Sequence, residues 1–133
     1  MREFARIQRI TDLVAELWTF DPDLSLGGLL QKWIWAEVIE KTGDIFRPED
    51  DTTELQLKEA LDKARTLSIP TELTQIQKDL IKRIQELWPH VPDQRFGQFL
   101  SNYAFGHFMS HPPKMLLQQS DEIILATLQH FGQ

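Results

Sequence analysis

Two pairs of carboxylates have a spacing that a metal-dependent hydrolase could use. Glu37-x-x-Glu40 and, after 18 intervening residues, Glu59-x-x-Asp62 each place two acids three positions apart. Side chains at i and i+3 share a helix face, so four such groups on two helices could hold Mg²⁺ through oxygen ligands. With 20 acids in 133 residues, about three acid pairs at this spacing arise by chance. Three occur, the third being Asp51 and Glu54, so the spacing alone does not single out a site. His107 and His111 form an i, i+4 pair, the zincin spacing, but Phe108-Met109-Ser110 between them supplies no glutamate base. Pro112-Pro113 follows directly and places the pair at a helix end, where two capping or exposed histidines are the simpler expectation. Arg2, Arg6 and Arg9 make a stripe on one side of a helix, suited either to phosphate or to intramolecular acidic partners.

The carboxylate arrangement resembles the ExxE…ExxD pattern of MazG-type all-α pyrophosphohydrolases. That resemblance implies Mg²⁺-dependent hydrolysis of nucleotides by Glu37, Glu40, Glu59 and Asp62. The further glutamate and Gly-Asp that flank such motifs are absent. Other chemistries find less. The chain has no cysteine, hence no thiolate metal site and no cysteine nucleophile. No serine stands in a G-x-S-x-G setting, and Leu26-Gly27-Gly28-Leu29 lacks the spacing and lysine of a phosphate-binding loop.

The charge balance is acidic, 14 Lys and Arg against 20 Asp and Glu for a net −6. Such a chain repels phosphate overall, which argues against nucleic acid as a partner. The excess gathers at Glu49, Asp50, Asp51 and Glu54, a composition expected of a solvated turn or helix start. No apolar run is long enough for a membrane span, so a cytoplasmic protein is expected, with no membrane partner.

The elements that must position these residues all read as helices. Phe4, Ile7, Ile10, Leu13, Val14, Leu17 and Trp18 recur at steps of three and four. Asp21-Pro22-Asp23 ends that helix, and Asp23 is expected to cap a second one. The second carries Leu26, Leu29, Leu30, Trp33, Ile34, Val38 and Ile39 and ends near Thr42-Gly43. Asp51-Thr52-Thr53-Glu54 has capping-box spacing and opens a third helix through Leu57, Ala60, Leu61 and Ala64.

After the break at Ser68-Ile69-Pro70-Thr71 the pattern repeats with an offset of 70. Glu86-Leu87-Trp88 matches Glu16-Leu17-Trp18, Pro92-Asp93 matches Pro22-Asp23, Gly97 matches Gly27, and Leu100 matches Leu30. Phe96 and Phe99 stand for Leu26 and Leu29. Further on, Ser120-Asp121 leads into Ile123, Ile124, Leu128 and Phe131, which match the third helix after a three-residue shift. The fold class is therefore all-α: two tandem three-helix units, 1–66 and 71–133, related by internal duplication and packed about a pseudo-twofold axis into one helical globule.

Trp18, Pro22, Asp23, Gly27 and their counterparts Trp88, Pro92, Asp93, Gly97 are read as a folding motif. The Trp covers a corner while its N–H finds an acceptor. A glycine in the first helical turn costs about 1 kcal/mol of propensity, so close approach of a neighbouring helix or the Trp ring is its expected compensation. The second-copy stretch from Glu86 to Asn102 resembles a pattern in short, uncharacterised bacterial and phage proteins, ELW, a spacer, then PDxR[LF]GQ[LF]L. The resemblance brings no activity or cofactor. Arg95, Gln98 and Asn102 of that pattern are replaced by Ser25, Gly28 and Lys32 in the first copy.

The expectation is thus a non-enzymatic protein–protein interaction or regulatory module. Its partner would be another protein, met by Arg95, Gln98 and Asn102, with no cofactor and no bound metal. The alternatives are the Mg²⁺ pyrophosphohydrolase and a nucleic-acid-associated regulator. Trp35, Phe105 and Phe108 are hard to bury on the same faces and are candidates for an oligomer or partner surface, so a homo-oligomer stays open.

Overall fold

The computed structural model describes residues 3–42, 45, 48–105 and 120–130. The first apolar stripe forms α1 (Ala5–Thr19), which buries Ile7, Ile10, Val14, Leu17 and Trp18. A turn leads to α2 (Leu26–Leu30), a π-helical turn (Gln31–Trp35) and α3 (Ala36–Thr42), one continuous helical rod. Then comes α4 (Asp50–Leu67). The described residues of the second unit follow a similar order: α5 (Gln75–Leu87), a 3₁₀ turn (Trp88–His90), α6 (Phe96–Phe99), a π-helical turn (Leu100–Ala104) and α7 (Asp121–His130).

The architecture is all-helical and two-fold in plan. Helix α1 packs on α4 as α5 packs on α7, and α1 meets α5 at the centre. Helix α4 also packs on the first π turn, and α7 on the second. Residues 21–30 and 91–100 show the same sequence of buried, half-buried and exposed positions, residue by residue. The duplication is therefore structural as well as textual.

The third helices align in two registers. Burial fits both the expected three-residue shift, which pairs Leu57 with Ile124 and Leu61 with Leu128, and an offset of 71, which pairs Asp50 with Asp121, Thr53 with Ile124 and Leu57 with Leu128. The apolar run is nearly as well matched in either register. What selects the register is the acid at the start of each helix, described below.

The π turns explain a correction. In a wider turn, where hydrogen bonds reach five residues on, as from Phe105 N–H to the Leu100 carbonyl (2.8 Å), both the fourth and the fifth residue past Leu30 or Leu100 face inward. Ile34 with Trp35, and Ala104 with Phe105, are accordingly all buried. Trp35 and Phe105 are core residues and not an oligomer surface. Phe108 lies outside the described residues.

The two halves of the core differ in material. The second unit stacks Trp88 on Phe96 (5.3 Å between centroids) and on Phe99 (5.9 Å), and Phe99 on Tyr103 (5.2 Å). The first has Leu26 and Leu29 at the matching places. Trp35 of the first unit reaches Phe96 of the second at 5.7 Å, so the two cores are continuous. Among the described residues no helix is long and apolar enough to cross a membrane.

Candidate functional site

The repeated signature folds each corner in the same way. The Trp18 Nε1–H donates to the Leu24 carbonyl (2.8 Å) and the Trp88 Nε1–H to the Gln94 carbonyl (2.9 Å), six residues ahead in both cases. The Trp side chains are fully buried, so these bonds satisfy donors that water cannot reach. Pro22 and Pro92 lie in the turns beside exposed Asp23 and Asp93. Asp23 is not the cap: Ser25 is, its hydroxyl accepting from the Gly28 N–H (3.1 Å). The capping box expected at Asp51 is absent as well. Helix α4 begins at Asp50, and the Asp51 carboxylate accepts from the adjacent Thr52 N–H (2.8 Å).

Gly97 needs its missing side chain for a reason that sequence could not supply. A Cβ there would lie 1.8 Å from the backbone carbonyl oxygen of Ile45. The close neighbour is thus a piece of connecting backbone from the other unit, neither a helix nor the Trp ring.

Arg95 and Gln98 meet at the start of α6, and Asn102 lies in the π turn beyond it. The Arg95 backbone N–H donates to Gln98 Oε1 (2.9 Å), which caps the helix from within. The Arg95 guanidinium meets Glu49 (3.4 Å), and the Asn102 amide donates to Gln94 Oε1 (3.2 Å). These bonds give all three residues a part in holding the corner, and Asn102 is exposed.

The strongest polar assembly gives Arg6 of the arginine stripe an intramolecular acidic partner, the second of the two uses expected for it. Arg6 is 5% exposed and Asp50 3%. Arg6 Nε donates to Asp50 Oδ2 at 2.5 Å, while its Nη2 donates to the carbonyls of Pro92 and Gln94 in the other unit. The guanidinium also lies 5.3 Å from the Trp88 ring centroid. Asp50 Oδ1 in turn accepts from the Phe96 N–H (2.8 Å), at the start of the second unit's α6. The other unit returns the contact: Asp121, first residue of α7, accepts from the Leu26 N–H (2.8 Å) at the start of α2. No cation is ion-paired with Asp121 among the described residues. Burial pushes the Asp121 carboxyl above its ordinary pKa, against the pull of the Leu26 amide and with the help of Glu122. The clue was a basic stripe and an acidic run 44 residues apart, with nothing local to join them.

Arg9 is used similarly, on Glu54 (3.1 Å) and Glu3 (2.5 Å). The stripe is thus intramolecular in its described part, and Arg2 lies outside the described residues. The carboxylate quartet does not assemble. Glu37, Glu40, Glu59 and Asp62 are all exposed. Glu37 pairs with Lys41 (2.6 Å), whose hydrogen bond holds its carboxyl below the usual range, and Asp62 meets Arg65 (3.4 Å). Among the described residues no three His, Cys, Asp or Glu gather as a metal would require. His107 and His111 lie outside the described residues.

Glu37 and Glu59 instead both line a groove of about 720 Å³ between the α2–α3 rod and α4. Phe20, Trp33, Ile34, Ala60 and Leu67 contribute apolar surface, and Lys32 and Lys63 add cations. Asp21 fastens one lip, accepting from Lys32 Nζ (2.7 Å) and Trp33 Nε1 (3.2 Å), with Lys32 also 5.2 Å from the Trp33 ring centroid. Through Ile34, Glu37 and Gln56 the groove continues into a pocket of about 340 Å³ that reaches Val38, Pro48 and Thr52. Comparison with known proteins finds no matching family model, no matching curated protein and no matching solved structure.

Proposed function

We propose that the protein is a non-enzymatic interaction module that binds an amphipathic helix of a partner protein in the groove between the α2–α3 rod and α4. The groove itself carries this reading. Its lining runs along α4 from Thr52 to Leu67, which at 1.5 Å per residue is about 22 Å, or four turns of a partner helix. Its apolar side chains, Phe20, Trp33 and Leu67 among them, offer sites for the i, i+3, i+4 and i+7 anchors of the helix-in-groove mode of recognition. Charges of both signs, Lys32 and Lys63 with Glu37 and Glu59, line it as well, so the partner helix would carry both signs. The pairing of Arg6 and Arg9 with acids supports a protein partner over nucleic acid. Exposed, separated carboxylates support binding over metal-assisted hydrolysis.

A displayed library of helical peptides tests the proposal. Enriched sequences are expected to show anchors at helical spacing and to lose at least tenfold in affinity against Ala36→Trp, which crowds the groove from an exposed position. Binding that survives Ala36→Trp but is lost with Asn102→Ala would move the surface to the α6 corner. Mg²⁺-dependent release of pyrophosphate from nucleoside triphosphates, abolished by Glu59→Gln, would overturn the non-enzymatic reading.

A further inference from the structure

We infer that the surface between the two units is a protein–protein interface in its own right, and that a second copy of this chain can fill it by exchanging units about residues 68–74. This stands apart from the groove proposal and rests on the bonds that cross between units. Two kinds are made twice, beside single ones such as Gln85 to Thr11 (2.9 Å). A third-helix carboxylate takes the first amide of the other unit's second helix, Asp50 with Phe96 and Asp121 with Leu26, both at 2.8 Å. A first-helix side chain takes the proline carbonyl of the other unit's turn, Arg6 with Pro92 and Gln77 with Pro22 (2.9 Å for Gln77). Reciprocity of this sort, where i meets j and j meets i, defines a two-fold dimer interface. Here it occurs inside one chain.

Neither unit is complete without the other. Alone, each would expose the first amide of its second helix, and the first unit would leave Arg6 without its two carbonyls. The joining segment adds little to this surface. Residues 68–72 are all exposed, and the segment's bonds include Ser68 to the Phe20 carbonyl (3.0 Å), Thr71 to the Thr19 carbonyl (2.7 Å), Glu72 to Lys78 (3.0 Å) and Gln77's cap at Thr74, with Leu73 packed against the core. Exchange between two copies would therefore keep every cross-unit bond and change only the path of seven residues between Leu67 and Gln75. The intact linker favours closure within one chain because it holds the units at an effective concentration of about millimolar.

A protease site substituted into residues 69–72 of the full chain allows the folded protein to be nicked. The nicked halves are expected to stay together as one 15.6 kDa particle by light scattering at micromolar concentration. Asp50→Ala should raise their dissociation constant at least a hundredfold, and Asp121→Ala about tenfold or less. Halves that separate at that concentration overturn the inference. Deletion of residues 69–72 should force exchange and double the mass. Since a deletion can fail to fold, the intact chain refolded at millimolar concentration provides the second arm, with a dimer that persists after dilution as the expected result. Monomer alone at every refolding concentration would overturn the exchange.

Discussion

The two caps that bind the units together share a bond and differ in their setting. Asp50 and Asp121 each accept a helix-starting amide of the opposite unit. Asp50 does so with a buried guanidinium against its other oxygen, whereas Asp121, among the described residues, has an amide and a neighbouring glutamate but no cation. One of the matching contacts is thus a buried ion pair, and the other a carboxylate that burial holds above its ordinary pKa. The difference teaches that a duplicated fold can keep its geometry while dividing its electrostatics unequally.

The sharpest way to break this comparison is Asp50→Ala. It leaves Arg6 buried beside no anion and the Phe96 amide uncapped, and should cost about 3–5 kcal/mol by equilibrium denaturation. Asp121→Ala strips a cap with no cation behind it among the described residues and should cost about 1 kcal/mol. Equal losses at the two sites would show that the ion pair adds nothing.

Next in size are the glycines. Gly97→Ala drives a methyl into the Ile45 carbonyl and should cost about 1–3 kcal/mol, in the range of overpacked cores. Gly28→Ala meets the Ser25 hydroxyl at 3.2 Å, and should stay within about 1 kcal/mol of the parent because the propensity gained is of that size. Thermal or urea unfolding of the two variants decides between them.

The tryptophans give a smaller contrast. Trp18→Phe leaves the Leu24 carbonyl without its indole donor and should cost about 1–3 kcal/mol. Among the described residues the Trp35 Nε1–H has no acceptor. Trp35→Phe removes that orphan along with some packing, and the two effects should leave stability within about 1 kcal/mol.

The pH dependence of Asp121 is the subtlest test. A carboxyl with a raised folded pKa binds its proton more tightly in the folded chain, so ionisation works against folding. Its stabilising effect is full below the ordinary value of 3.8 and is lost as pH rises through the folded pKa. Asp121→Asn keeps an acceptor for the Leu26 amide and should remove this loss, leaving the protein at least as stable at pH 7. A variant with the parent's pH profile would show that Asp121 does not feel its burial.

Much of the fold was legible from residue spacing. The steps of three and four marked α1, α4 and α5, and the Trp–Pro–Asp–Gly signature marked both corners, because these depend on contacts within about ten residues. The partial failures are also physical. Asp23 and Asp51 have good capping chemistry, yet Ser25 caps α2 and Asp50 turns inward, since the choice depends on where the chain goes next. Trp35 and Phe105 looked surplus on an ideal helix, and a π turn brought them inside. The groove had no sequence signal at all, for it exists only where α4 folds back beside the α2–α3 rod.

By itself, then, the amino-acid sequence determined the helices, their duplication and the two tryptophan corners, all set by local periodicity and turn chemistry. Tertiary structure alone decided that each third helix caps the other unit, that Arg6 and Asp50 are buried together, and that Gly97 lies beneath Ile45. The reason is the same in each case: a carboxylate, a guanidinium or a glycine acquires its role from the atom opposite it, and here that atom lies 44 to 95 residues away.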